Sequence, residues 1–408
     1  MGRQRLLHPA PTHTRQRHTV WKRRLILVGV RIRYFAQDPV VASSEQLSDG
    51  YVTEVTSVSS CVLDGRACVV TMNLAGRIRV LDPVSGVDVR EPLGSTAHES
   101  TYWAQDWSSF LECVVIDGDP HVVVSAFFGD VECWNLRTGQ QRCDAPDRVR
   151  KEPGVWLQSL LVRPATEGRW QVAFATDDGW VHVIDPLTGR AVKPSAESPV
   201  TGLEEIALVP GEKELLAAVT WRGEVVAWEA ETMSLVETEV VPLGFDVEQV
   251  LGFVGDGGAP CLAAACSGGR LERRSLLTGE ALEAWEASGF FVLAEADGFG
   301  SVAVVMDDGR FQARRLSDGE VLLSVDPPAA DLWRVLPCTN AEGARRWVCL
   351  FDRELHVLDL TSGRWFDPVS ISYPVQGKEE DEVHDMGAVP GGGVALGLVN
   401  GWAMVDLD

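Results

Sequence analysis

A phrase of eleven residues returns along this chain at nearly even intervals, and it constrains the fold more than any other feature. It reads Gly-Arg-Ile-Arg-Val-Leu-Asp-Pro-Val-Ser-Gly at 76–86, Gly-Asp-Val-Glu-Cys-Trp-Asn-Leu-Arg-Thr-Gly at 129–139 and Gly-Trp-Val-His-Val-Ile-Asp-Pro-Leu-Thr-Gly at 179–189. Weaker copies begin at Gly223, Gly269, Gly309, Arg353 and Gly401. In each complete copy a second anchor follows ten residues after the first, at Gly86, Gly139, Gly189, Met233, Gly279, Gly319 and Gly363. Successive first anchors lie 53, 50, 44, 46, 40, 44 and 48 residues apart, so the chain holds eight units averaging about 46 residues. A period in this range marks a repeat architecture in which each unit covers the apolar face of its neighbour.

Within a unit the pattern is strand, turn, strand, turn, strand, turn, strand. The sixth unit predicts strands over 291–294, 302–306, 311–316 and 321–325, separated by Asp297-Gly298, Asp307-Asp308-Gly309 and Asp318-Gly319. Short Val- and Leu-rich runs punctuated by Asp-Gly and Thr-Gly are a hairpin signature. A lone four-stranded sheet leaves both faces bare, so eight of them stack blade on blade into a ring. The expected fold is therefore an all-β propeller of eight four-stranded blades, with seven blades plus a partial unit as the alternative. The last unit stops at Asp408 after its third strand, and an open edge invites unwanted pairing. The segment Pro39 to Gln46 is expected to supply the missing strand and lock the two ends of the chain together.

Charge divides the chain in two. Residues 1–37 carry nine Arg and Lys and no acid, whereas the whole chain has a net charge of -23. The division is read as a basic flexible tail over 1–37 and one propeller domain over 38–408. So acidic a body argues against nucleic acid as a partner. No apolar run reaches the roughly 18 residues needed to span a bilayer, so no membrane partner is expected. The apolar stretch Leu25 to Val30 is too short for a secretory core. Nine cysteines, odd in number and without a CxxC pair, fit small buried residues in the cytoplasm better than disulfides or zinc.

The repeated phrase resembles the third-strand signature of WD-repeat β-propellers, Gly-x-Val-x-x-Trp-Asp-x-x-Thr-Gly, over roughly residues 46–408. Trp134-Asn135 and Trp228-Glu229 keep the tryptophan; Leu81-Asp82, Ile184-Asp185 and Leu358-Asp359 keep the aspartate. The resemblance implies a non-catalytic protein-interaction scaffold that binds on one end face, as a single propeller within a complex. That face is built from the loops leading into the first strands and from the turns between second and third strands. There the chain places Trp103, Trp156, Phe245, Phe290, Phe291, Trp333 and His384, together with Trp221. Aromatics beside acids suit a protein or peptide partner of basic character. Where other units carry Trp-Asp or Leu-Asp, the fifth and sixth carry Arg274-Ser275 and Arg314-Arg315, with Arg273 alongside and Arg345-Arg346 in the seventh. These arginines make a second candidate surface, for an anion or an acidic partner, unless they pair with nearby acids such as Glu272, Glu280 or Asp318.

No catalytic, metal-binding or cofactor motif is present, and no cofactor is expected. His182 and His356 share one repeat position in nonadjacent blades and read as satisfied strand residues. Two further readings stay open: a propeller subunit of a larger enzyme complex, and a quinone-dependent dehydrogenase. The second rests on a resemblance of 80–86 and 357–363 to repeats of eight-bladed pyrroloquinoline-quinone dehydrogenases. Those repeats carry a tryptophan soon after the Thr-Gly that docks one blade on the next; here Trp285 and Trp365 come nearest.

Overall fold

The computed structural model describes residues 30–36, 55–73, 76–94, 110–125, 131–144, 157–165, 169–176, 178–236, 243, 247–296, 298–352, 354–371, 383–398 and 401–407. Among them the only departure from strands, turns and loops is a single 3₁₀ turn at Asp256–Gly258. The strands form eight separate antiparallel sheets. Naming strands a to d in chain order, blade 6 is Phe291–Ala296, Gly300–Asp307, Arg310–Arg315 and Val321–Val325. The a strand of each blade touches the next blade's in sequence, except that blade 3's is met by blade 2's b strand, and that of blade 8, Val383–Val389, touches that of blade 1, Val55–Leu63. The ring is closed, and it has eight blades.

The core follows the same count. Eight apolar clusters occur, one at each junction between adjacent blades. The b strands lie at the centre of their sheets with both faces covered, which is why Leu215–Thr220 and Pro260–Cys266 are buried at every residue. Burial on two sides also explains their unbroken apolar runs, where a half-buried strand would alternate.

The spacing of the two anchors has a structural cause. In all seven complete units the second anchor's N–H donates to the carbonyl four residues back, as in Gly86 to Asp82 at 2.8 Å and Gly319 to Arg315 at 2.9 Å. Closing that turn needs a left-handed backbone, and Gly86 has φ 71°. At Gly86 a side chain would also strike the Phe35 ring. Met233 takes the same conformation at φ 59° without the freedom of glycine, and the side chain it keeps is buried between blades 3 and 4. The aspartate of the phrase caps this turn: Asp82, Asp185 and Asp359 each accept the N–H groups two and three residues on, at 2.7–3.1 Å, and Asn135 does so at 2.8–3.0 Å.

The N-terminal strand that completes blade 8 is Arg31–Ala36, not Pro39 to Gln46. It runs antiparallel to Gly401–Asp406 with Arg31 opposite Asp406 and Phe35 opposite Trp402. Ile32 and Phe35, three residues apart, point to opposite faces of the strand, Ile32 into the cluster between blades 7 and 8 and Phe35 into that between blades 8 and 1. Phe35 stacks on Trp402 with centroids 4.3 Å apart, and Arg33 pairs with Asp406. The high positive charge of the first 37 residues hid a strand that buries Ile32 and Phe35 and is preceded by the buried Val30. Pro39 to Gln46 lies outside the described residues.

Candidate functional site

The loops entering the a strands and the turns from b to c gather at one mouth of the ring, here called the top. A cavity of about 730 Å³ opens there over blades 5 to 8, a size that fits small molecules or a peptide segment. Its walls are the first residues of three a strands, including Phe290, Phe291, Trp333 and Arg334, with Glu248 and Asp331 among the acids. Phe290 is 54% exposed and Trp333 64%, whereas Phe291 points inward at 4% and joins the core of blades 5 and 6. Neighbouring residues of extended chain face opposite sides, so Phe290, just ahead of the strand, is displayed while Phe291, its first residue, is buried.

Polar side chains on the a strands tie the mouth together. The Gln249 amide donates to Leu293 O at 2.9 Å and accepts from Leu293 N–H at 2.8 Å, joining blade 5 to blade 6. Arg334 reaches Asp385 at 3.4 Å, and Asp385 accepts the Val58 N–H at 2.8 Å, joining blades 7, 8 and 1. Ser159 accepts the Ile206 N–H at 3.1 Å between blades 3 and 4. Burial holds several acids of this ring toward their neutral form. Glu205 is pushed up to about 7 by burial and the adjacent Glu204. Glu112 is pushed up to about 6 by burial, offset by a hydrogen bond from the Val162 backbone. Water reaches the Glu112 carboxylate, yet protein surrounds it on most sides, and that crowding sets the shift. Burial also raises Glu248 and Asp385.

Of the residues read from the sequence as partner-binding, Trp333 lines this cavity. His384 follows it at the start of blade 8's a strand, partly buried. Trp221 is 48% exposed on the b–c turn of blade 4, packed against Gly202 where a larger residue would strike the indole, with the Arg222 guanidinium 4.5 Å from its ring centre. Trp103, Trp156 and Phe245 lie outside the described residues. Sequence reasoning passed over Gln249, Arg334 and Asp385. The signal for them was a polar residue sixteen to twenty positions ahead of the first anchor, shared with Ser159 and Glu205.

The arginines separate rather than form one surface. Arg273 is 5% exposed and donates to Leu316 O at 2.7 Å and Glu283 O at 3.0 Å, with Trp285 4.0 Å beneath its guanidinium. Burial between blades 5 and 6 removes it from any patch, correcting the expectation that it stands on a surface. Arg274 reaches Gly279 O at 3.5 Å. Arg314 pairs with Asp307 at 2.7 Å, and Arg315 with Asp318 and Glu320 at 2.7 and 2.6 Å. These are local, exposed or half-exposed pairs of the ordinary kind. The two histidines are strand residues: His182 bonds Ser195 at 2.9 Å, and His356 is buried beside Glu354, its pKa lowered by that burial.

No protein-family model matches the chain, and no curated protein matches it in sequence. Solved structures do. The C-terminal WD40 domain of Sif2 superposes with a TM-score of 0.61 at 12% identity, covering 88% of this chain and 97% of that one. The fold is that of a WD-repeat-like β-propeller. The computationally designed Ika8 protein is similar to the same degree, with a TM-score of 0.61 at 17% identity over 88% of this chain and 98% of its own. Among the described residues of this propeller no helix is long and apolar enough to cross a membrane, and no group of three His, Cys, Asp or Glu is placed to hold a metal.

Proposed function

We propose that this propeller is a non-catalytic interaction module that takes a protein or peptide segment of basic character into the cavity at its top mouth. The observation that carries this reading is the pair Phe290 and Trp333, two large apolar side chains left more than half exposed on the walls of one cavity. Exposed aromatics set around a cavity are the usual anchors of a binding interface. The acids beside them, Glu248 and Asp331, and the net charge of -23 favour a cationic partner and speed its approach. The propeller works as one ring within a complex, in the cytoplasm; its nine free cysteines support a reducing compartment.

The test compares the full chain with its Trp333→Ala variant as bait in the native extract. A stoichiometric partner captured by the wild type, lost in the variant and released by rising salt, with Tm unchanged, is the expected result. Retention of every partner by Phe290→Ala and Trp333→Ala alike would sink this reading. A quinone absorbance on the purified protein, with no partner, would do so in favour of the dehydrogenase.

A further inference from the structure

A second cavity, of about 380 Å³, opens at the opposite mouth of the ring. It is lined where the a strands of blades 7 and 8 end, at Pro337–Thr339 and Ala388–Pro390, and where blade 7's b strand begins, at Arg345, Arg346 and Trp347. Leu336 and Met386 line the top cavity, so the two chambers are set back to back along the same pair of strands.

Arg346 is the unusual group there. Its side chain is only 9% exposed. A guanidinium carries five N–H donors and a permanent charge, and burial leaves it costly unless those donors are met. Nε and Nη1 of Arg346 are buried and reach no hydrogen-bond acceptor. Asp359 stands across from it in register but comes only to 3.8 Å. The reason is the turn: Asp359 Oδ1 already accepts the N–H groups of Thr361 and Ser362, both at 2.9 Å, and the Ser362 hydroxyl at 3.1 Å. The same aspartate that caps the repeat turn is thereby held short of the arginine. The Phe366 ring, 4.4 Å from the guanidinium, stabilises the cation without accepting a directed bond.

We propose that this cavity binds a small organic carboxylate, its head on Arg346 and its apolar body against Leu360, Val389 and Pro390. A planar fork of donors matches a carboxylate in two parallel bonds. The other lining groups choose among anions. Glu295 shares the cavity, its carboxylate accepting the Ser301 hydroxyl, and it opposes a doubly charged phosphate. The apolar wall rewards a ligand with a hydrocarbon body, which inorganic phosphate lacks. Arg345, exposed at the rim with its guanidinium 5.6 Å from the Phe299 ring, adds positive potential at the opening. The volume suits a molecule of about the size of an aromatic acid.

Calorimetry on the full chain with benzoate as probe tests this, beside its neutral isostere benzamide and inorganic phosphate. Benzoate is expected to bind and to raise Tm, with benzamide at least ten-fold weaker. Arg346→Met is expected to abolish benzoate binding while its own Tm holds or rises, because the variant replaces a buried charge with unmet hydrogen-bond donors by an apolar chain of similar length. Arg346→Lys keeps the charge and loses the fork; benzoate weakened several-fold in it supports bidentate capture even should the Met variant fail to fold. Trp333→Ala, at the other mouth, should leave benzoate binding intact. No binding at millimolar benzoate, equal binding by Arg346→Met, displacement by phosphate at equal affinity, or loss in Trp333→Ala would each overturn the proposal.

Discussion

Blade 6 and blade 8 have the same four strands and opposite histories. All of blade 6 comes from one stretch of chain, Phe291 to Val325, joined by tight turns. Blade 8 borrows its outer strand, Arg31–Ala36, from the far end of the molecule. Local hairpins form at little entropic cost, whereas this pairing must close a loop of nearly the whole chain. The two blades are alike in the finished ring and unlike in what holds them. Blade 6 is held by its connectivity as well as its packing; blade 8 depends on side chains across the seam. Those are Phe35 on Trp402, Arg33 with Asp406, and an Arg33 hydrogen bond to Val84 O at 3.0 Å that reaches blade 1.

The largest expected effect comes from removing residues 1–36. That bares the edge of Gly401–Asp406 and strips apolar cover from the blade 7–8 and 8–1 clusters. A destabilisation beyond the roughly 4–5 kcal/mol that marks severe point substitutions should follow, with association through the open edge. Denaturant unfolding and light scattering would register both. A finer contrast sets Phe35→Ala against Phe311→Ala. Phe311 is fully buried in blade 6, edge-on to Trp365 at 5.0 Å. Each should cost about 3–5 kcal/mol. In hydrogen exchange, Phe35→Ala should release protection first in 401–406, whereas Phe311→Ala should lower it across the ring. Equal patterns in the two variants would break the comparison, because the seam would then open no more readily than any other junction.

Blade 6 was almost wholly legible in sequence, since its strands are short, its turns carry Asp-Gly, and every partner lies within a few residues. The seam was only half legible. A third strand left unpaired in the last unit demanded a fourth from elsewhere in the chain. Pro39 to Gln46 was the segment expected to supply it, because the basic charge of Arg31 and Arg33 placed the strand actually used in a tail. Those arginines lie along a strand covered on both faces, and its two buried apolar residues, Ile32 on one face and Phe35 on the other, carry the signal. Of the candidate site, Trp333 could be placed from its position ahead of the first strand. Whether an aromatic at such a position faces solvent or core depends on strand phase, and the bulge at the start of many a strands, as between Leu332 and Arg334, shifts that phase. Composition cannot reveal such a bulge. The arginines of blades 5 and 6 misled for a related reason: residue type was visible, burial of Arg273 was not.

The polar ties between a strands allow a second contrast. At the seam, Asp385 accepts the Val58 and Met386 N–H groups, both at 2.8 Å, so its ionised form is served although burial raises its pKa. At the junction of blades 3 and 4, burial and the like charge of Glu204 outweigh the hydrogen bond of the Ser159 side chain, and Glu205 rises to about 7. A carboxyl raised in the folded state stabilises the fold fully below its unfolded value near 4.5, and that contribution is lost as pH climbs to about 7. Wild-type Tm should therefore fall between pH 5 and pH 7.5 relative to Glu205→Gln. At pH 8 the variant should be the more stable by on the order of 2 kcal/mol. A constant difference between the two proteins across that range would show that Glu205 is charged in the fold throughout.

The smallest effect separates two turns at one repeat position. In blade 7, Asp359 caps the c–d turn through Thr361 and Ser362, and those donors lower its pKa although burial opposes them. In blade 6 the same place holds Arg315, which leaves the turn's N–H groups to Asp318 and the solvent and pairs outward with Asp318 and Glu320. The backbone closes alike in both, with the glycine N–H bonded back at 2.9 Å. Asp359→Ala should cost about 1 kcal/mol, the value of a lost cap, whereas Arg315→Ala should lie within about 0.5 kcal/mol of wild type. Asp359→Ala carries a second consequence that the turn alone does not. It removes the acid that stands across from Arg346 in register, so benzoate should bind this variant more tightly than wild type even as its Tm falls. Tighter binding with lower stability would tie the repeat's capping residue to the pocket beneath it; a fall in both would confine Asp359 to the turn.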